Sequence, residues 1–156
     1  MPQAAEIHLP DEAATTRLGE RLAGHLRAGD TLLLRGPVGA GKTHLARALI
    51  RHRIGRAEDV PSPTFTLVQT YDAGGVEIWH ADLYRLSSAD ELTELGIEAA
   101  FGQAICLIEW PERLGPLAPP DALTLGLRPG GAGRVATLSG GRAGLADAIA
   151  RGFAHV

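Results

Sequence analysis

A short segment in the first third of the chain has the residue types and spacing of a phosphate-binding loop. The segment reads G-x-x-x-x-G-K-T, and its residues are Gly36, Pro37, Val38, Gly39, Ala40, Gly41, Lys42 and Thr43. Glycines permit a tight turn in which consecutive backbone N–H groups point at phosphate oxygens. In such a loop the lysine reaches the β- and γ-phosphates, and the threonine hydroxyl ligates Mg²⁺. The segment therefore predicts binding of a nucleoside triphosphate together with magnesium.

The residues on either side of this loop supply the strand and the helix that the motif requires. Residues 31–34 form an apolar run of strand length, and Gly29 and Asp30 provide a turn before it. Apolar residues then recur at helical spacing over residues 43–50. A glycine-rich turn alone is a weak signal, so it is the strand–loop–helix context that favours a nucleotide site.

Two carboxylates near the ends of predicted strands could complete such a site. Glu109 directly follows the apolar run 104–108, and Asp82 lies just beyond the predicted strand 76–80. Groups that ligate Mg²⁺ and its waters in folds of this kind lie at the carboxyl end of a buried strand beside the phosphate loop. We therefore expect Glu109 to lie near the metal. For Asp82 the pattern alone fits a functional role and an ordinary loop position equally well.

A third candidate lies in a loop that prolines make stiff. Pro61 and Pro63 flank Ser62, and Thr64 follows. The Thr64 hydroxyl could bond to Mg²⁺ or to the γ-phosphate, as ordered loops do in nucleotide switches. The more ordinary interpretation is that Thr64 only begins a strand.

Several other polar or aromatic residues are interpreted as structural. His80 stands beside Asp82, but no third His or Cys follows at a zinc-like spacing. Trp79 and Trp110 are assigned to packing. Arg85 could stabilise charge on the leaving phosphate, but a surface ion pair is the more ordinary interpretation.

The composition is that of a globular protein without membrane segments. The chain has 156 residues, of which 45% are hydrophobic and 21% charged, and its formal net charge is −3. This acidic balance does not favour independent, tight binding of nucleic acid. The single cysteine, Cys106, excludes a disulfide framework and is expected to be a buried thiol. No apolar stretch approaches the length that spans a bilayer, and no secretory signal is evident, so we expect a cytoplasmic protein.

The predicted elements indicate an α/β fold in one domain over residues 1–156. We expect strands at residues 6–9, 31–34, 64–71, 76–80, 104–108, 122–127 and 135–138. Helices are expected from residue 11 onward and at 43–50, 88–95 and 145–153, with a loop over 53–60. Because βα units occur together with a hairpin, the sheet should be mixed, mostly parallel and flanked by helices.

Five phrases of the sequence occur together in the order typical of one family. They are the phosphate loop, S-P-T-F-T-L-V at 62–68, H-A-D-L-Y-R-L at 80–86, E-L-G-I at 94–97 and I-C-L-I-E-W-P-E at 105–112. From residue 10 to about residue 139 the chain closely resembles the bacterial TsaE (YjeE) family of small P-loop ATPases. That family is needed to form N6-threonylcarbamoyladenosine at position 37 of tRNAs that read ANN codons.

This resemblance implies an activity and partners. The protein would bind ATP and Mg²⁺ and act as an ATP-driven accessory on the TsaD–TsaB heterodimer, in which TsaD transfers the threonylcarbamoyl group. Hydrolysis, slow without the partners, would reset that complex between turnovers, and tRNA would be held mainly by the partners. Thr43 and Glu109 would hold Mg²⁺, Thr64 would reach the γ-phosphate, and Asp82 would be the second acid needed for hydrolysis.

The match is looser at the borders of the nucleotide site. Glu12 and Arg134 lie in segments that resemble those bordering the nucleotide in the family. The phosphate loop carries Pro37 and Val38 where the family commonly has Asp-Leu, but these positions contribute backbone groups to phosphate binding. Gln69 stands where an acid is common.

Two other functions fit the residues. A small-molecule P-loop kinase would need an acceptor pocket and usually an arginine-bearing lid, and no Arg-rich lid is evident between Lys42 and Glu109. A nucleotide-gated docking module with negligible hydrolysis would differ in needing Asp82 only for shape. A GTPase is disfavoured because the guanine-reading N/T-K-x-D motif is absent.

Overall fold

Strands and helices alternate along much of the computed structural model, which describes residues 5–55 and 67–153. The strands are β1 (Ala5–Leu9), β2 (Thr31–Arg35), β3 (Val68–Ala73), β4 (Val76–Asp82), β5 (Ile105–Glu109), β6 (Leu123–Gly130) and β7 (Gly133–Gly140). The helices are α1 (Glu12–His25), α2 (Lys42–Ile54), α3 (Ala89–Leu95), α4 (Ile97–Phe101) and α5 (Leu145–Ala150). A 3₁₀ segment, Pro111–Leu117, follows β5 and is interrupted at Gly115.

The strands form one mixed sheet in the order β1-β7-β6-β2-β5-β4-β3. Its four central strands, β6, β2, β5 and β4, are parallel to one another, and the remaining pairings are antiparallel. Glu109 at the end of β5 pairs in register with Leu34 on one side and with Asp82 on the other. The chain segments that follow β2, β4 and β5 therefore leave the sheet at the same edge.

Helices cover both faces of this sheet, and consecutive residues of the central strands alternate between them. Leu32 and Leu34 belong to a buried cluster with residues of α1, α2 and α5, whereas Leu33 belongs to the opposite cluster with residues of α3 and α4. β5 divides in the same way, with Leu107 on the first face and Ile108 on the second. Continuous apolar runs are typical of strands buried on both faces.

The predicted α/β P-loop fold with a mixed sheet flanked by helices is confirmed. β1 lies at a sheet edge, β3 and β4 form the expected hairpin, and Cys106 is buried. Burial raises the pKa of the Cys106 thiol to about 12. Helix α1 begins as expected, because the Asp11 carboxylate accepts the Ala14 N–H at 2.8 Å. The capping box at the start of α3 also forms.

Other predicted boundaries were wrong, and tertiary contacts explain two of them. α2 runs through Ile54 where a loop from residue 53 was expected, and Arg53 of its last turn donates to the carbonyls of Ala23 and Leu26 at 2.8 and 2.9 Å. α5 ends at Ala150 rather than at residue 153, and Arg21 donates to two carbonyls of that final turn. These side chains satisfy carbonyls that helix ends leave without partners.

The predicted strand 64–71 is also revised. In the described residues β3 begins at Val68, because Leu67 adopts a left-handed conformation with a φ of 63°. Residues 64–66 lie outside the described part of the chain. The short helix α4 and the 3₁₀ segment were not predicted.

In the described ranges 5–55 and 67–153, no helix combines the length and the apolar character that a membrane span requires.

Two glycines of α1 should respond in opposite ways to replacement by alanine. At Gly19 an added Cβ would lie 2.9 Å from Ala48 Cβ and 2.9 Å from the Leu45 carbonyl oxygen, whereas at Gly24 it would meet nothing within 4 Å. Gly19→Ala should therefore lower the free energy of unfolding by about 1–3 kcal/mol through overpacking between α1 and α2. Gly24→Ala should raise it by up to about 1 kcal/mol, because alanine is the better helix former. Chemical denaturation of both variants measures this, and equal effects would contradict the packing described for α1 and α2.

Candidate nucleotide-binding site

The phosphate loop leaves the sheet at the carboxyl end of β2 and leads into the first turn of α2. Gly36 has a φ of +145°, and a Cβ there would lie 2.5 Å from the Leu127 carbonyl oxygen of the neighbouring strand. Gly41 precedes α2 with a φ of +102°, in the left-handed region that favours glycine. The N–H groups of the first turn of α2 and the positive end of its dipole therefore lie next to the loop, an arrangement that suits an anion.

Lys42 lies buried beneath this loop, with 5% of its surface exposed. Its Nζ donates to the Gly36 carbonyl oxygen at 2.5 Å and lies 3.5 Å from the centroid of the Trp110 ring. Desolvation by burial lowers the pKa of Lys42, and the carboxylates of Glu109, Glu112 and Asp82 oppose that shift. The ammonium thus contacts a carbonyl and an aromatic face, and both would be exchangeable for phosphate oxygens.

The Glu109 carboxylate connects the helix to the sheet. Only 2% of Glu109 is exposed. Its Oε1 accepts the Thr43 hydroxyl at 2.9 Å, and its Oε2 lies 2.7 Å from Nε2 of His80, which is fully buried. A buried carboxylate is costly without such partners, since both of its oxygens must be satisfied.

Asp82 stands at the end of β4, opposite Glu109 in register. Its Oδ1 accepts the Tyr84 N–H at 3.1 Å. Burial raises the pKa of Asp82; the Tyr84 N–H opposes the rise, and the negative charge of Glu109 adds to it. A carboxylate with a raised pKa is a better proton acceptor than an exposed one.

These residues line one cleft of about 360 Å³. Its walls are Val38, Gly39, Gly41, Lys42, Thr43, His44, Asp82, Tyr84, Arg85, Glu109 and Trp110. The loop residues Gly36, Pro37 and Ala40 support the turn without lining the cleft. The structure therefore brings the phosphate loop and both predicted acids into one concave site.

The two looser candidates lie beside this cleft rather than in it. Glu12 and Arg134 line a separate cavity of about 180 Å³ between the start of α1 and the turn that joins β6 to β7. Arg134 connects the two places, because its Nη2 lies 3.5 Å from the Gly39 carbonyl oxygen. The Thr64 prediction falls outside the described residues.

Sequence reasoning missed part of the site. Trp110, assigned to packing, covers Lys42, and its ring centroid lies 4.9 Å from that of Tyr84. Trp110 adopts φ 60° and ψ 53°, a left-handed conformation that is costly for a residue other than glycine and is typical of functional sites. Its position next to Glu109 was the available signal. His44 and Arg85 also line the cleft. No sequence signal pointed to His44, and for Arg85 the surface ion pair was preferred over a role at the phosphates.

The oxygen donors of the cleft suit Mg²⁺. Thr43 and Glu109 present a hydroxyl and a carboxylate in contact with one another, and Asp82 is the next carboxylate along the sheet edge. Among the residues that the structure describes, no cluster of three or more His, Cys, Asp or Glu could hold a metal ion. Mg²⁺ commonly binds through one or two protein oxygens and completes its shell with phosphates and water, so this set fits a metal that accompanies a nucleotide.

Comparison with known proteins agrees with this architecture. The family model described as "Threonylcarbamoyl adenosine biosynthesis protein TsaE" matches residues 9–135. In the solved structure of YdiB from Bacillus subtilus, the fold superposes with a TM-score of 0.73 at 26% identity, covering 90% of this chain and 87% of that one.

Curated relatives carry the same description. The tRNA threonylcarbamoyladenosine biosynthesis protein TsaE of Rickettsia felis is 42% identical over 119 residues, which is 76% of this chain and 70% of the relative. The proteins of that name from Haemophilus influenzae and Synechocystis are 41% and 42% identical, over 68% and 72% of this chain and 70% and 73% of their own lengths. The match of the family model across most of the chain, together with these identities, shows that the chain belongs to the TsaE family.

Proposed function

We propose that this protein binds ATP with Mg²⁺ and hydrolyses it, and that hydrolysis serves the formation of N6-threonylcarbamoyladenosine at position 37 of tRNAs that read ANN codons. The strongest support for this proposal is a hydrogen bond at the phosphate loop. Thr43, the last residue of the loop, donates its hydroxyl to the buried Glu109 carboxylate. Membership of the TsaE family supports the tRNA modification as the process that is served.

The phosphate loop is assigned the binding of the triphosphate. Its backbone N–H groups and Lys42 would hold the phosphate oxygens, and Thr43 and Glu109 would hold Mg²⁺. When bound, the metal neutralises charge that develops on the transferred phosphoryl group. Glu12 and Arg134 remain candidates for the border of the nucleotide, supported by the contact of Arg134 with Gly39.

Asp82, with Glu109, is assigned the positioning of the water that attacks the γ-phosphate. Its place at the cleft wall and the raised pKa of its carboxyl group support this role. Thr64 would place its hydroxyl at the γ-phosphate. The absence of a partner would leave the site incomplete and hydrolysis slow.

The partner in this account is the TsaD–TsaB heterodimer, in which TsaD transfers the threonylcarbamoyl group. Two large apolar side chains of the described residues stand exposed at the cleft, Val38 at 77% and Tyr84 at 48%. Exposed apolar groups beside a functional cleft are suited to burial by a partner. The formal net charge of −3 does not favour tight binding of nucleic acid, so the partners would bind the tRNA. The protein would act in the cytoplasm and would not contact a membrane.

The first test is ATP hydrolysis by the purified protein, alone and with a TsaD–TsaB pair. We expect slow hydrolysis alone and clear stimulation by the pair, and stimulation should depend on Mg²⁺. A rate that stays low whatever is added would favour a nucleotide-gated docking module. Phosphate transfer to a small-molecule acceptor instead of water would favour a kinase.

Two substitutions should separate binding from turnover. Lys42→Ala should abolish nucleotide binding and hydrolysis together, because the ammonium is the one buried cation under the loop among the described residues. Asp82→Ala should leave ATP affinity intact and reduce turnover about 100-fold or more, as loss of a group that handles a proton commonly does. Calorimetric titration and single-turnover hydrolysis measure the two effects.

Asp121→Ala is the matched control for Asp82→Ala. Asp121 is an exposed carboxylate just before β6, which is parallel to β2, so it lies at the sheet edge opposite the phosphate loop. Its removal should change neither affinity nor rate. If Asp82→Ala lost ATP affinity instead of turnover, Asp82 would be a binding residue and the hydrolytic role would be wrong.

A further inference from the structure

A fully buried imidazole stands behind the cleft without being exposed to it. His80 is 0% exposed on β4, two residues before Asp82 and on the same face of the sheet. On that face it is a polar group among aliphatic side chains, including Ile78 and Leu107. Its Nε2 lies 2.7 Å from Oε2 of Glu109, whereas its Nδ1 is buried and has no hydrogen-bond partner in the described part of the chain.

The two oxygens of Glu109 are divided between two elements. Oε1 receives the hydroxyl of Thr43 from α2, and Oε2 faces His80 from β4. A carboxylate held at both oxygens cannot rotate about its terminal bond without breaking one of these contacts. If the imidazole were absent, Oε2 would be a buried acceptor without a partner, which is costly.

We propose that His80 is a positioning residue that orients Glu109, so that the Glu109 carboxylate and the Thr43 hydroxyl together present the Mg²⁺ site. The inference rests on the proposed function, because it assigns His80 to that same metal site. Nε2 carries a hydrogen and donates it to Oε2. The tautomer with its only hydrogen on Nδ1 would leave a buried donor unpaired and would give the carboxylate no hydrogen bond.

This arrangement separates metal binding from phosphate binding. His80 contacts the carboxylate, whereas Lys42 contacts Gly36 and Trp110. Loss of His80 should therefore weaken the hold on Mg²⁺ and leave the phosphate loop intact. Groups that orient a metal ligand from behind typically change metal affinity or activity about 10–100-fold when they are removed.

The test compares His80→Phe with His80→Gln. Phenylalanine keeps a ring without a hydrogen bond, and glutamine can place an amide N–H near the position of Nε2. The binding of the imido analogue of ATP is measured by calorimetry, first with EDTA and then over a range of Mg²⁺ concentrations. With EDTA all three proteins should bind the analogue equally well. For His80→Phe, the Mg²⁺ concentration that gives half of the Mg²⁺-dependent change in analogue affinity should rise about 10–100-fold. For His80→Gln, this concentration should return most of the way to the wild-type value.

Two further measurements address a purely structural role. In a Glu109→Gln background, His80→Phe should cause no additional loss of Mg²⁺ response, because His80 acts through that carboxylate. In the wild type, long-range ¹H–¹⁵N spectra of the imidazole should show the hydrogen on Nε2. If His80→Phe does not fold, as judged by circular dichroism, His80→Asn replaces it, since its shorter amide does not reach Oε2.

The outcomes distinguish this inference from the proposed function. An unchanged Mg²⁺ response in folded His80→Phe, an equal loss of affinity with and without metal, or an Nε2 that carries no hydrogen would overturn the positioning role alone. A wild-type protein whose binding of the analogue does not respond to Mg²⁺ at all would overturn the proposed function, and this inference with it.

Discussion

The buried carboxylate of Glu109 is the constraint on which the rest of the site depends. A carboxylate that is 2% exposed requires a hydrogen bond at each oxygen, and here the partners come from α2 and from β4. Those partners can meet only because β2, β5 and β4 are parallel neighbours that end at one edge of the sheet. The site therefore depends on the order of the central strands as much as on the phosphate loop.

Two features beside Glu109 determine how the cleft is closed. Trp110 turns through a left-handed conformation directly after the strand, and this turn brings its ring over Lys42. β4 ends at Asp82, which pairs with Glu109 in the sheet and also lines the cleft. Both acids are thus the last residues of strands, the aromatic ring follows β5 directly, and the lysine begins α2, so rigid elements rather than long loops hold all four groups. Such placement suits a site that must bring a metal, a triphosphate and a water into line.

Local sequence patterns could predict the parts of this site that depend on local structure. The glycine spacing predicted the loop, and the acid after an apolar run predicted that Glu109 would meet it, whereas for Asp82 the pattern left the choice open and the family resemblance supplied the role. The partnership of His80 with Glu109 was missed, because it depends on the register of two strands that are 29 positions apart at these residues. The extension of α2 to Ile54 was missed for a similar reason, since Arg53 donates to carbonyls in and just after the last turn of α1. Periodicity describes one element at a time and does not report such contacts.

The most direct test of the account is a crystal structure of the protein with Mg²⁺ and the imido analogue of ATP. We expect the triphosphate on residues 36–43, the metal beside the Thr43 hydroxyl and the Glu109 carboxylate, and the Lys42 ammonium moved from Trp110 to the phosphates. The Glu109 contact with His80 should persist. Phosphates bound away from the loop, or a metal remote from both Thr43 and Glu109, would contradict it.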